Sequence, residues 1–281
     1  IISFIILFYY YLNYLFIKNI KKNFINYFII FSPLFYLFFI VISKVGIRKE
    51  IILYTFYLLY LIHLSSSNFT LKKNWKFIIF FPVLLLNHEG TLFYLPYVII
   101  PLFFVVKENQ KKEFIYQVLL LFITSIIVQI LVYYNKGTTE HTLAICESLG
   151  VYAPAKCVWW GPFFALGQYL GSDFGRINEK DWFFFIVDYK TFFGFVFYFL
   201  YSFLPILCFF LISDFNKKIF LLNKNKNIVI FIIAFLFSLP LFLLAHDWSR
   251  WASINFHLMA YLIFFFQRLD ILNYSNNNNF I

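Results

Sequence analysis

Three short clusters carry the residue types that could do chemistry. Arg48 stands with Lys49 and Glu50 just ahead of an apolar run. Asn87-His88-Glu89-Gly90 interrupts a second run, and His246-Asp247-Trp248-Ser249-Arg250-Trp251 closes a third. A guanidinium can grip two phosphate oxygens at once, so Arg48 suits phosphate contact and Arg250 an anionic headgroup. Histidine titrates near neutral pH and a carboxylate can fix its tautomer, so His88 with Glu89, or His246 with Asp247, suits a general base. Trp248 and Trp251 bracket the last cluster and suit contact with the same substrate. Each cluster also has a plainer reading. Arg48 could snorkel to lipid headgroups. The tryptophans could form an interfacial belt, and Asp247 with Arg250 a structural ion pair. Adjacent residues on a helix do not face each other, so His88 and Glu89 are not a dyad by themselves. No HExxH spacing occurs, and nothing in the spacing of His88, Glu89, His246 and Asp247 demands a metal; no metal or cofactor is expected.

The elements that must position these clusters are apolar spans. Of 281 residues, 62% are hydrophobic and 13% charged, with a mean hydropathy of +0.79. Those values describe a polytopic membrane protein rather than a water-soluble domain. The 44 Phe and 21 Tyr carry no cage signal, because Phe, Tyr, Ile, Asn and Lys share AT-rich codons. The net charge of +10 comes from lysines that punctuate spans, not from a nucleic-acid-binding stripe. The spacing predicts spans at about 1–17, 24–43, 51–64, 114–134, 189–213, 228–245 and 252–267. The fold expected is all-α: a single membrane-embedded domain over 1–281, with a long extracytoplasmic loop at 135–188.

The stretch 75–106 needs a different reading. As one helix it would be roughly 48 Å long against a hydrocarbon core of about 30 Å. Lysines flank both of its ends: Lys72, Lys73 and Lys76 before it, Lys107, Lys111 and Lys112 after it. Cationic flanks stay cytoplasmic, so the segment is expected to enter and return as two short helices, 75–86 and 91–106. Gly90 would supply the bend, while Pro82, Pro96 and Pro101 loosen the helices. Broken backbone at membrane depth survives only inside protein or beside water, and ionisable residues there are candidates for function. The alternative is an ordinary loop with His88 and Glu89 solvated. With this hairpin the chain makes about eight or nine membrane segments.

Alternating the spans puts fourteen of the 23 cations on one side, which is therefore cytoplasmic. The regions 44–50, 87–90, 135–188 and 246–251 then share the outer side. Cys146 and Cys157 lie in the long outer loop, where they could pair in an oxidising compartment or remain free thiols; Cys208 reads as a small buried apolar residue. In the same loop, His141, Asp173, Arg176, Glu179 and Asp181 could line a sugar site with Trp159, Trp160 and Trp182 stacking on it, or form a solvated surface. His63 and His257 read as core. The Asn68-Phe69-Thr70 sequon falls on the cytoplasmic side and reads as chance. The chain opens at Ile1 inside an apolar run and is expected to be a piece lacking its N-terminus.

Gly46-x-Arg48 opening a span, His88 in a broken segment, a long outer loop and then Arg250 in a late outer loop resemble the Wzy/EpsG-type polysaccharide (O-antigen) polymerases. Glu89 stands where such families more usually carry a small residue. The resemblance implies a membrane glycosyltransferase of the bacterial inner membrane. It would join polyprenyl-diphosphate-linked glycans at the extracytoplasmic face without nucleotide sugar or metal. Arg48 and Arg250 would hold the diphosphate, and His88 would activate the acceptor hydroxyl. Two other readings stay open: a GT-C-type glycosyltransferase using lipid-monophosphate sugars, and a transporter or flippase of lipid-linked glycans, for which a broken helix is also suited.

Overall fold

The computed structural model describes residues 7, 10–11, 13–14, 24–32, 50–66, 69–87, 89–135, 139–150, 189–215, 227–244 and 248–274. Their helices are α1 (Phe24–Ile30), α2 (Glu50–Leu64), α3 (Leu71–Asn87), α4 (Leu95–Val105), α5 (Lys111–Tyr134), α6 (Thr139–Leu149), α7 (Tyr189–Ile212), α8 (Asn227–Leu244) and α9 (Trp248–Arg268). Two three-residue strands, β1 (Ser213–Phe215) and β2 (Leu272–Tyr274), pair antiparallel. The described chain is thus helical apart from this one small ladder. Its contacts group into two compact units, 1–125 with 197–281, and 126–196.

In the first unit α3 does not run straight on into α4. A 3-10 helix, Glu89–Tyr94, breaks them, and this irregular piece is longer than the 87–90 turn expected. Its end is set by Pro96, within the first two positions of α4. Proline there costs no backbone hydrogen bond and has its φ preset for a helix. Pro96 therefore starts α4, where the sequence reading had it loosen a helix already under way. At the other end α3 begins at Leu71, earlier than the 75 expected, because lysine is a good helix former and Lys72, Lys73 and Lys76 lie exposed.

The broken segment goes out and comes back. Gln117 Nε2, on the second turn of α5, donates to the Leu71 carbonyl at 2.7 Å, and Asn74 Nδ2 donates to Gln117 Oε1 at 2.9 Å. The Phe103 and Phe114 rings meet at 6.0 Å. The 17 residues of α3 rise about 25 Å. Had α4 continued in that direction, the start of α5 could not reach the start of α3. Lys72, Lys73, Lys76, Lys107, Lys111 and Lys112 thus share one end of the unit. Phe104 against Phe266, 4.4 Å between ring centroids, brings Arg268 and the end of α9 to it as well. There Arg268 Nη1 donates to the Tyr14 carbonyl at 2.8 Å, with its guanidinium 4.1 Å from the Tyr14 ring. Gln267 Nε2 donates to Asn26 Oδ1 at 3.0 Å.

The centre of the unit is α9, buried from Trp251 to Gln267. It is closed by a Schellman turn: Ile271 N–H donates to Phe266 O and Asp270 N–H to Gln267 O, with Asp270 at φ 54°. Packed on α9 are α2, α4 and α8. In the second unit, Cys146 on α6 is buried and disulfide-bonded. The stretch 139–149, expected as loop, is helical, and residues 151–188 lie outside the described part. Cys208 in α7 is a free thiol.

Candidate functional site

Helix directions decide where the three clusters fall. Facing pairs run in opposite order along α2 and α3: Phe56 meets Phe80 and Phe81, while Tyr60 and His63 meet Phe77. These helices are therefore antiparallel. Because α4 returns against α3, it runs parallel to α2, and the Tyr60 hydroxyl donates to the Val98 carbonyl at 2.9 Å. Tyr97 pairs with Asn255, and Phe104 with Phe266, so α4 and α9 are parallel. Ser238 pairs with Asn255, and Phe231 with Phe266, so α8 is antiparallel to α9. The start of α2, the 3-10 break and the first turn of α9 consequently share the end opposite the lysines. The break packs against α3 and α8 there.

Of the residues read from the sequence, Arg48, His88, His246 and Asp247 lie outside the described residues. Glu89 opens the 3-10 helix. Trp248, Arg250 and Trp251 form the first turn of α9. That is a correction, since 246–251 was expected as a loop and α9 was expected to start at 252. Trp251 is 4% exposed and sits inside the bundle rather than in an outer belt. Glu50 opens α2, where a carboxylate suits the positive end of the helix, and it is 3% exposed. A buried carboxylate at the same end as the first turn of α9 adds a candidate to the site. His257 is fully buried, as expected for a core residue. Its Nδ1 lies 2.7 Å from the Ser253 carbonyl, so that nitrogen carries the proton, and its ring stacks on Tyr54 at 4.8 Å. Among the described residues no group of three His, Cys, Asp or Glu could hold a metal ion.

Sequence reasoning missed the polar centre just beneath this end. Asn255 Oδ1 accepts from the Tyr97 hydroxyl at 2.9 Å and lies 3.0 Å from Ser238 Oγ, while Asn255 Nδ2 donates to the Trp251 carbonyl at 3.0 Å. The Ser238 hydroxyl has one proton, which it gives either to Asn255 or to the Phe235 carbonyl at 2.7 Å. Tyr97, Ser238 and Asn255 are all fully buried. A signal for this centre existed: Asn255 is a polar residue inside an apolar span, and such a residue must find partners. No known protein family, characterised protein or solved structure matches this chain.

Proposed function

We propose that this chain is a multi-pass membrane glycosyltransferase that polymerises or ligates lipid-diphosphate-linked glycans at the extracytoplasmic face of a bacterial inner membrane. The observation that carries this reading is the shared end. The helix that Arg48 precedes, the break that follows His88 and the helix turn that bears Arg250 all start there, opposite the lysine-rich end. Lysine-rich ends are cytoplasmic by rule, which supports reading the clusters as extracytoplasmic.

The membrane part of the reading draws on the surfaces. The stretch Glu108–Val132, with α5, is long and apolar enough to cross a membrane by length and composition, and 17% of its most apolar window is buried. Exposed apolar side chains also line α3 (Ile79, Phe80, Val83, Leu86) and α8 (Ile232, Ile233, Leu236, Phe237). Apolar faces of this extent suit lipid, not water.

In the reaction proposed, an acceptor sugar hydroxyl attacks the anomeric carbon of the lipid-linked glycan. The new glycosidic bond forms as the bond from that carbon to the diphosphate oxygen breaks, and the lipid diphosphate leaves. His88 takes the hydroxyl proton. Arg48 and Arg250 stabilise the charge that grows on the leaving diphosphate. Asp247 or Glu89 orients the base, and His246 and Trp248 flank the glycan, while the buried Trp251 packs within the bundle.

The helix break favours one second reading, transport of the lipid-linked glycan without chemistry, since broken helices also build transporter sites. Purified protein in vesicles separates the two. Given lipid-diphosphate-linked glycan on its outer-equivalent face, a polymerase or ligase yields longer chains with release of lipid diphosphate. A transporter moves the substrate across and leaves its length unchanged, which would overturn the proposal.

A further inference from the structure

We infer that Asn255 is a positioning residue that holds the helix break and the first turn of α9 in fixed relation; its catalytic meaning rests on the function proposed above. An amide side chain offers two acceptor sites and two donor hydrogens. Here both acceptor sites have a hydroxyl within reach, from Tyr97 on α4 and Ser238 on α8. One donor hydrogen goes to the carbonyl of Trp251, next to Arg250. Tyr97 lies on the first turn of α4, three residues beyond the break. Ser238 lies in the C-terminal half of α8, the helix that leads into 245–247. One fully buried amide therefore ties together the three elements that lead to His88, to His246 and Asp247, and to Arg250.

Apolar packing alone would not set this relation. Helices in hydrocarbon gain little from burying one aliphatic surface against another, and interhelical hydrogen bonds then choose the register. Pro101 in α4 and Pro240 in α8 lie near the same point, and each removes a backbone hydrogen bond. Both helices can bend there, so a clasp at Asn255 has something to restrain.

The test is amide hydrogen exchange on the full chain in lipid nanodiscs, comparing the wild type with Asn255→Leu, Tyr97→Phe and Ser238→Ala. Leucine keeps the branched shape and heavy-atom count of asparagine, though it is bulkier, and removes every side-chain hydrogen bond. Exchange should rise at least tenfold in Asn255→Leu at both 89–94 and 248–254, with α5 unchanged. Tyr97→Phe and Ser238→Ala should each raise both segments by a smaller factor, and they keep the test available if Asn255→Leu does not fold. A rise confined to 248–254 would mean a local helix contact only, and no rise would mean no clasp; either overturns the inference. Activity supplies the second arm. If Asn255 acts through Arg250, the rate losses of Asn255→Leu and Arg250→Lys are less than multiplicative in the double variant, whereas independent structural damage multiplies. Coupled exchange combined with a fully active Arg250→Lys protein would leave the clasp standing and sink the proposed chemistry instead.

Discussion

Two helices of similar length, α5 and α9, have opposite surroundings. The more apolar, α5, exposes Ile115, Leu119, Phe122, Ile123, Ile126, Ile127 and Ile130. The more polar, α9, is buried from Trp251 to Gln267 and takes Ser253, Asn255, His257 and Gln267 inside with it. In a water-soluble protein the assignments would be reversed, since an amphipathic helix there turns its polar residues outward. The inversion makes sense where the solvent is hydrocarbon. Apolar side chains lose nothing by facing it, and polar ones must find partners within the bundle. Asn255, His257 and Gln267 each have a hydrogen-bond partner, on their own helix or beyond it.

The largest expected effect tests the exposed half of this comparison. Ile123 sits mid-way along α5, 52% exposed. If that face meets lipid, Ile123→Lys should cost about 3–4 kcal/mol in membrane insertion, readable as the inserted fraction of α5 in a translocon assay. Unchanged insertion and yield would mean that the face meets water, and the comparison would lose its explanation. The next effect is at the first turn of α9. Arg250→Lys keeps the charge and removes the planar fork. It should cost about 2–4 kcal/mol of transition-state stabilisation, roughly a thirtyfold to thousandfold loss of rate, with membrane expression intact. The readout is glycan chain length in a strain that depends on this gene. Wild-type length in Arg250→Lys, with Arg250→Ala also tolerated, would leave Arg250 as an anchor that lysine replaces by snorkelling. The smallest effect concerns an exception on α5, the fully buried Gln117. Gln117→Leu removes its bonds to Asn74 and Leu71 and should lower stability in detergent by about 1–2 kcal/mol, leaving insertion of α5 as it was. A larger loss would show that the hairpin base carries more of the fold than its two hydrogen bonds suggest.

Much of the helical plan was legible because hydropathy and length are local properties. The spans expected at 51–64, 189–213 and 228–245 appear as 50–64, 189–212 and 227–244. The break between α3 and α4 was legible too, from lysines on both flanks and a length too great for one crossing. Its extent was not, because the 3-10 helix runs on to the point where Pro96 permits a helix to restart. The start of α9 was placed late because Trp248, Ser249 and Arg250 were read by polarity. A helix can extend past the apolar run that anchors it, as α9 does by four residues and α3 does at Leu71. The tie at Asn255 was illegible for another reason. Tyr97 and Asn255 are 158 residues apart, and no local pattern pairs them. Sequence marks the polar residue in the span but does not name its partner.

The broken segment also has a consequence for how the chain is made. Neither half of the α3–α4 pair is long enough to cross a bilayer: 17 and 11 residues rise about 25 and 16 Å against a core of about 30 Å. On the membrane reading they enter together, and the shorter partner cannot be released to lipid alone. Its final neighbours, Asn255 and Phe266, are then still to be synthesised. At ribosomal speeds of about 5–20 residues per second, the 158-residue gap amounts to a wait of roughly 8–30 seconds. During that interval α4 stands in the membrane with the Tyr97 hydroxyl not yet matched to its amide. That half-built state is where insertion chaperones and membrane proteases would meet this protein.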